Sequence, residues 1–294
     1  MSRIHVDGAS YQVRIGGSGP PLLLIHGFTG RASDWGPFLP ALQQAATTIT
    51  VDLLGHGDSD SPAEPARHAI ERQAADLAAV LRRIGAAPAD VAGYSLGARV
   101  ALRMAAASSG VVRRLMLESP SAGIADPADR AARRDADEQL ARLLESRGMQ
   151  AFVERWESLP FFASERALPA ASRARLHAER LRNRREGLAA CLRGAGQGSM
   201  EPLDGRLGGV KSPTLVVAGA LDETGRLRAE AIAAGIPRAR LVIVEKAGHA
   251  PHREAPGRFA SLLLEFIARA PAGAPPPSGD ALPAARRDTE RTPS

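Results

Sequence analysis

Cysteine is almost absent. Cys191 is the only one in 294 residues. No intrachain disulfide can form, and a reducing, cytoplasmic setting is expected. Lysine is nearly as scarce: Lys211 and Lys246 are the only lysines among 38 basic residues. No run of about eighteen apolar residues occurs, which excludes a transmembrane helix and with it membrane insertion through one. The first residues, Met1-Ser2-Arg3-Ile4-His5-Val6-Asp7, lack the apolar centre of a secretory leader. Zinc-ligand spacings, RNA-binding signatures and internal repeats are also missing. The net charge of +6 is therefore not read as a nucleic-acid surface, since the arginines are spread among acids.

What is present is the composition of a globular protein, 44% hydrophobic and 24% charged. Short apolar runs alternate with helical periods. Pro21 to Ile25, Thr47 to Val51, Ala89 to Tyr94, Val111 to Leu117, Pro213 to Ala218 and Ala239 to Val244 read as buried strands. Ile70, Ala74, Leu77, Val80, Leu81 and Ile84 share a helical face, as do Phe259, Leu262, Leu263, Phe266 and Ile267. This alternation predicts an α/β fold, a mostly parallel sheet with helices on both faces. The pattern fails between Ser121 and Arg206, which is helical in period and nearly free of β-branched residues. We expect a core over residues 1–120 and 207–270, a helical cap inserted over 121–206, and a disordered Pro/Ala/Gly-rich tail over 271–294.

Gly93-Tyr94-Ser95-Leu96-Gly97 lies between the run Val91-Ala92 and the helix-forming run Ala98 to Leu102. This is the G-x-S-x-G nucleophile elbow in its strand–turn–helix setting, the signature of the α/β-hydrolase fold. A serine hydroxyl needs a base, and the base needs an orienting acid. In this fold they follow in the order acid, then histidine. Asp222 stands just past the strand ending at Ala218, and His249 just past the strand ending at Val244. Ser95, Asp222 and His249 thus all fall where strands end, the edge at which open α/β sheets bind ligands. His252 is the rival base and Glu223 the rival acid. His56, in Asp52-Leu53-Leu54-Gly55-His56-Gly57, reads as structural.

A developing oxyanion or enolate needs preset N–H donors. The backbone N–H groups of Leu96, after the serine, and of Phe28, in His26-Gly27-Phe28-Thr29-Gly30, are the candidates. Arg99 stands four residues beyond Ser95, on nearly the same face of the elbow helix. A neutral ester has little use for a guanidinium there, whereas a carboxylate substrate is gripped by one. Arg130, Arg133, Arg134, Arg180 and Arg182 are further candidates in the inserted segment, and Trp156 could wall the pocket or pack the cap.

From about Leu22 to Phe266 the chain resembles the 2-succinyl-6-hydroxy-2,4-cyclohexadiene-1-carboxylate synthases of menaquinone biosynthesis, lyases on the α/β-hydrolase fold. The fold motifs are shared by many hydrolases. More specific are the elbow followed by Arg99, Leu117-Glu118-Ser119 with Ala122-Gly123-Ile124, and Trp156-Glu157 with Leu159-Pro160-Phe161-Phe162. Leu181-Arg182-Asn183 leading to Gly187-Leu188-Ala189, and Ala247-Gly248-His249 leading to His252 and Glu254, also match. Ala98 departs from the family, which often has glycine there.

The resemblance implies elimination of pyruvate from 2-succinyl-5-enolpyruvyl-6-hydroxy-3-cyclohexene-1-carboxylate, a small polycarboxylate. It implies Ser95 as proton acceptor, held basic by His249 and Asp222, and Phe28 and Leu96 N–H groups holding the enolate. It further implies Arg99, Arg133 and Arg180 on carboxylates, with Tyr94 and Trp156 lining the site. No metal or organic cofactor is expected, because the substrate ketone is the electron sink. The alternative on the same triad is a serine hydrolase of carboxylic esters or carbon–carbon bonds.

Overall fold

The structure is a computed structural model that describes residues 2–107 and 110–268. The expected tail lies outside the described residues. Eight strands form one sheet: β1 Ser2–Val6, β2 Ala9–Gly16, β3 Pro21–Ile25, β4 Thr47–Val51, β5 Ala89–Tyr94, β6 Val112–Glu118, β7 Thr214–Gly219 and β8 Ala239–Val244. Their order across the sheet is β1-β2-β4-β3-β5-β6-β7-β8. The pairings β1–β2 and β2–β4 are antiparallel, and every other is parallel. The helices are α1 Leu39–Leu42, α2 Ile70–Arg83, α3 Leu96–Ala107, α4 Pro127–Glu157, α5 Ala170–Leu181, α6 Arg185–Ala195, α7 Glu223–Gly235, α8 Pro251–Glu254 and α9 Pro256–Ala268.

The continuous apolar runs become central strands because both sheet faces are covered. One face packs Leu23, Val91 and Leu115 against Leu77 and Leu81 of α2, Val100 of α3 and Ile232 of α7. The other packs Leu22, Leu24 and Val217 against Leu42 of α1 and Phe259, Leu262 and Leu263 of α9. These side chains are all essentially dry. Burying each contributes about 1.5–3 kcal/mol relative to leaving it exposed. Helices α4, α5 and α6 intervene between β6 and β7, the stretch that broke the alternation. They have their own apolar centre of Leu144, Phe152, Val153, Trp156, Phe162, Leu188 and Leu192, against which Phe28 of the sheet unit packs. Helix α4 is interrupted at Gly148, whose φ of 76° leaves the helical region.

Strands β1 and β2 went unread in the sequence. Val6 pairs with Ala9 across a two-residue loop, with φ of 46° at Asp7 and 77° at Gly8. Asp-Gly between strand residues is the signal for that hairpin turn, because both central positions need positive φ.

Candidate active site

Strand β5 ends at Tyr94 and α3 begins at Leu96, so Ser95 alone makes the turn. Its φ is 48°, strained for a side-chain-bearing residue. The flanking glycines permit this geometry. A Cβ on Gly93 would lie 2.3 Å from the Gly97 carbonyl oxygen, and one on Gly97 2.3 Å from that of Ile25. The turn is held by Ser95 N–H donating to Glu118 O at 2.9 Å and Arg99 N–H donating to Ser95 O at 3.1 Å.

His249, in the loop after β8, places Nε2 3.0 Å from Ser95 Oγ. Its Nδ1 lies 2.7 Å from Asp222 Oδ2. Asp222 caps α7 by accepting from Gly225 N–H at 2.9 Å through its other oxygen. Burial alone would raise the Asp222 pKa. The His249 hydrogen bond and charge, with the Gly225 N–H, outweigh it and hold the carboxyl below its usual range. The His249 loop is itself clamped: Glu254 accepts from Gly248 N–H at 2.9 Å and from Ala250 N–H at 3.0 Å, and Ser119 Oγ donates to His249 O at 2.8 Å. The sequence assigned no role to Ser119 or Glu254. Glu254, five residues past His249, stands where a side chain can turn back on that loop.

Neither rival joins the Ser95–His249–Asp222 chain. His252 is buried, with Nδ1 2.9 Å from Glu118 Oε1, which also accepts the His252 backbone N–H at 2.8 Å. Glu223 lines the same cavity as the triad, but His249 turns to Asp222. His56 is fully buried, with Nε2 accepting from Thr29 N–H at 3.2 Å and Nδ1 3.1 Å from Leu54 O. That is the structural role expected of it.

Ser95 and His249 open into a cavity of about 450 Å³. Its walls include Phe28, Tyr94, Leu96, Trp156, Phe161, Phe162 and Cys191. Neither the Phe28 nor the Leu96 backbone N–H has a hydrogen-bond partner among the described residues. For Leu96 this follows from its being the first residue of α3, where N–H groups lack an intrahelical acceptor. Phe161 stands edge-on to the His249 ring at 5.0 Å, and Trp156 meets Phe28 edge-on at 5.0 Å. Trp156 therefore both walls the cavity and packs the inserted helices. Tyr94 carries the Arg253 guanidinium over its ring at 5.5 Å. Burial raises the Tyr94 pKa well above normal, so its hydroxyl stays neutral.

Arg99 lines the cavity and is 7% exposed. Its Nη1 donates to Ala195 O at 2.5 Å, and it forms no ion pair with a described carboxylate. Burial first, and the neighbouring Arg133 charge second, lower its pKa to about 10, which leaves it charged at neutral pH. Arg133 of α4 also lines the cavity, held by Asp137 Oδ1 at 3.0 Å and Gln197 Oε1 at 3.3 Å.

Arg180 is placed apart from Arg99 and Arg133. It is buried outside the cavity lining, with Nη1 2.9 Å from Glu157 Oε1 and Nη2 3.0 Å from Glu165 Oε2, beneath the Phe162 ring. Glu165 also pairs with Arg253 and Glu157 with His177, so Arg180 belongs to an internal ion-pair network. Arg130, Arg134 and Arg182 are not in the lining either. Arg134 donates to Gly198 O, and Arg182 pairs with Glu179 at the surface. Arg228 of α7, which the sequence reading passed over, does line it.

Residues 22–262 match the family model described as the alpha/beta hydrolase family. The chain belongs to the alpha/beta hydrolase family. That makes it an enzyme by family, and the resemblance to the menaquinone-pathway synthases holds along most of its length. A Bacillus subtilis (strain 168) protein, named provisionally as 2-succinyl-6-hydroxy-2,4-cyclohexadiene-1-carboxylate synthase, is 34% identical over 263 residues, 89% of this chain and 96% of its own. The synthase of that name from Klebsiella pneumoniae (strain 342) is 32% identical, with 86% of this chain and 96% of the relative covered. Among solved structures, MenH from S. aureus superposes with a TM-score of 0.83 at 30% identity, covering 88% of this chain and 97% of the other. Among the described residues no helix is long and apolar enough to cross a membrane.

Proposed function

We propose that this enzyme eliminates pyruvate from 2-succinyl-5-enolpyruvyl-6-hydroxy-3-cyclohexene-1-carboxylate to give 2-succinyl-6-hydroxy-2,4-cyclohexadiene-1-carboxylate. The observation that carries the reading is one cavity holding both the Ser95–His249–Asp222 hydrogen-bond chain and a buried guanidinium, Arg99, with no carboxylate of its own. Burying a cation without a counterion is costly, and a substrate carboxylate offsets that cost on binding. A neutral ester offers no such compensation. The names of the relatives point the same way.

In this reading Ser95 Oγ takes the proton from the carbon alpha to the succinyl ketone as its own proton moves to His249 Nε2. Asp222 holds the imidazole in the acceptor tautomer and stabilises the imidazolium. The electron pair enters the ketone oxygen, where the Phe28 and Leu96 N–H groups receive the enolate. It then returns through the ring double bond and breaks the carbon–oxygen bond to the enolpyruvyl group. Enolpyruvate leaves with the proton held by His249 and tautomerises to pyruvate. Arg99 and Arg133 hold carboxylates, and Tyr94 and Trp156 shape the walls.

Purified protein should release pyruvate from this substrate with no added metal. Ser95→Ala should lower that rate by at least about 10²–10⁴-fold, the usual contribution of a positioned base. Pyruvate release no faster than the buffer blank, beside rapid cleavage of p-nitrophenyl acetate, would favour the hydrolase reading instead.

A further inference from the structure

The cavity holds one cation that neither the fold nor the proposed chemistry has used. Arg228 lies on α7, six residues beyond Asp222, and lines the cavity. Its helical neighbours at three and four residues' distance are Thr224, Gly225, Ala231 and Ile232, none of them acidic. Arg226, two residues earlier, pairs with Glu230 four residues on, but the helix gives Arg228 no such partner. Arg228 forms no ion pair or hydrogen bond with any described residue, Glu223 and Asp222 included.

The cavity cations are graded by depth. Arg99 is buried, the Arg133 side chain is 33% exposed, and Arg228 is exposed. Arg133 comes from α4 of the inserted helices and Arg228 from α7 of the sheet unit. The two charges interact: crowding by the cavity walls first, and Arg133 second, push the Arg228 pKa below the usual arginine value, while Asp222 opposes them. Asp137 offsets part of the Arg133 charge but reaches neither of the other two within ion-pair distance. Two guanidiniums thus stand on walls belonging to different parts of the fold, Arg133 paired with Asp137 and Arg228 without an ion pair among the described residues, in a lining that also holds Asp222 and Glu223.

We propose that Arg228 and Arg133 form a second carboxylate subsite, separate from Arg99, which takes the outer carboxylate of a di- or tricarboxylate. The proposal rests on the polycarboxylate reading of the cavity and assigns to Arg228 the place that sequence reasoning gave to Arg180. A carboxylate between the two guanidiniums relieves their mutual repulsion and accepts hydrogen bonds from both. It also ties α4 to α7 across the cavity, so that a substrate with a single carboxylate is held less well than one with two.

The test compares wild type, Arg228→Gln and Arg228→Lys by titration calorimetry with succinate and propionate, and by kinetics on the enolpyruvyl substrate. The wild type should bind succinate at least about tenfold more tightly than propionate. Arg228→Gln should bring that ratio below about threefold, and Arg228→Lys should fall between. KM for the enolpyruvyl substrate should rise about 10–100-fold in Arg228→Gln, with kcat within about threefold. An unchanged succinate preference together with an unchanged KM would overturn the subsite. So would a lowered kcat with unchanged KM and a shifted acidic limb of the pH profile, since Arg228 would then act through Asp222. Should the wild type fail to release pyruvate while succinate binding still depends on Arg228, the reaction falls and the subsite stands.

Discussion

Replacing Arg99 by methionine removes the buried guanidinium while nearly preserving its apolar stem. Three quantities should respond, only the first of them strongly. On the enolpyruvyl substrate, a carboxylate loses its charge-assisted partner inside a largely desolvated cavity, where truncating one side of such a pair costs about 2–5 kcal/mol. That corresponds to roughly 30–4,000-fold in kcat/KM at about 1.4 kcal/mol per decade. On p-nitrophenyl acetate, which has no carboxylate, the loss should stay within about threefold. Stability should move little. The hydrogen bond from Arg99 Nη1 to Ala195 O is lost, at about 1 kcal/mol, but so is the cost of keeping a charge buried at 7% exposure without an acidic partner. The melting temperature should therefore remain within a few degrees of wild type. Pyruvate release followed with a coupled NADH assay, nitrophenol release and calorimetry measure the three quantities. Equal losses on both substrates would show Arg99 to be scaffold and refute the reasoning.

Gly97→Ala should be destabilising, because its Cβ would lie 2.3 Å from Ile25 O and 2.6 Å from His26 O, both backbone atoms. At about 1–3 kcal/mol for overpacking, the melting temperature should drop by about 2–12 °C, and an unchanged value in calorimetry would refute the close approach. Cys191 is buried, which pushes its thiol up to about 12. At pH 8 the folded protein should react with a disulfide reagent at least about a thousandfold more slowly than free cysteine, and full reactivity without denaturant would contradict the burial. Glu165 takes Arg180 at 3.0 Å and Arg253 at 3.2 Å. Burial would raise its pKa, but the two arginines outweigh it and hold it below normal. A lowered folded pKa stabilises above the unfolded value of about 4.3 and is lost as pH falls through the folded value. Glu165→Gln should thus be less stable than wild type at pH 5–7, with the gap closing below about pH 4. A gap constant from pH 7 to pH 3 in denaturant titrations would refute the sign.

The parallel strands were legible because burial on both faces turns them into uninterrupted apolar runs. Pro21–Ile25 falls where its run begins and ends, and Thr214–Gly219 is buried along its whole length. The triad was legible for a related reason, since each member stands in the turn or loop just past a strand, and that placement ranks Asp222 and His249 above Glu223 and His252. The β1–β2 hairpin was not, because the edge strand β1 is largely exposed, β2 beside it alternates polar with apolar residues, and Asp7-Gly8 alone marks the turn. The arginines were the hardest to place. Helical spacing brought Arg99 to the Ser95 face, but nothing local tells Arg180, paired with Glu157 and Glu165, from Arg228, which has no ion pair among the described residues. That distinction is set by contacts between distant segments, which one helix's sequence does not carry.

The claim on which the rest depends is that the Ser95 oxygen accepts a proton and does not attack carbon. Rapid-quench mixing of enzyme with the enolpyruvyl substrate, read by intact-protein mass and pyruvate yield, tests it directly. One pyruvate per cyclohexadiene formed and no mass gain on the protein at any time are expected. A substrate-derived acyl group on Ser95 with no pyruvate released would contradict it.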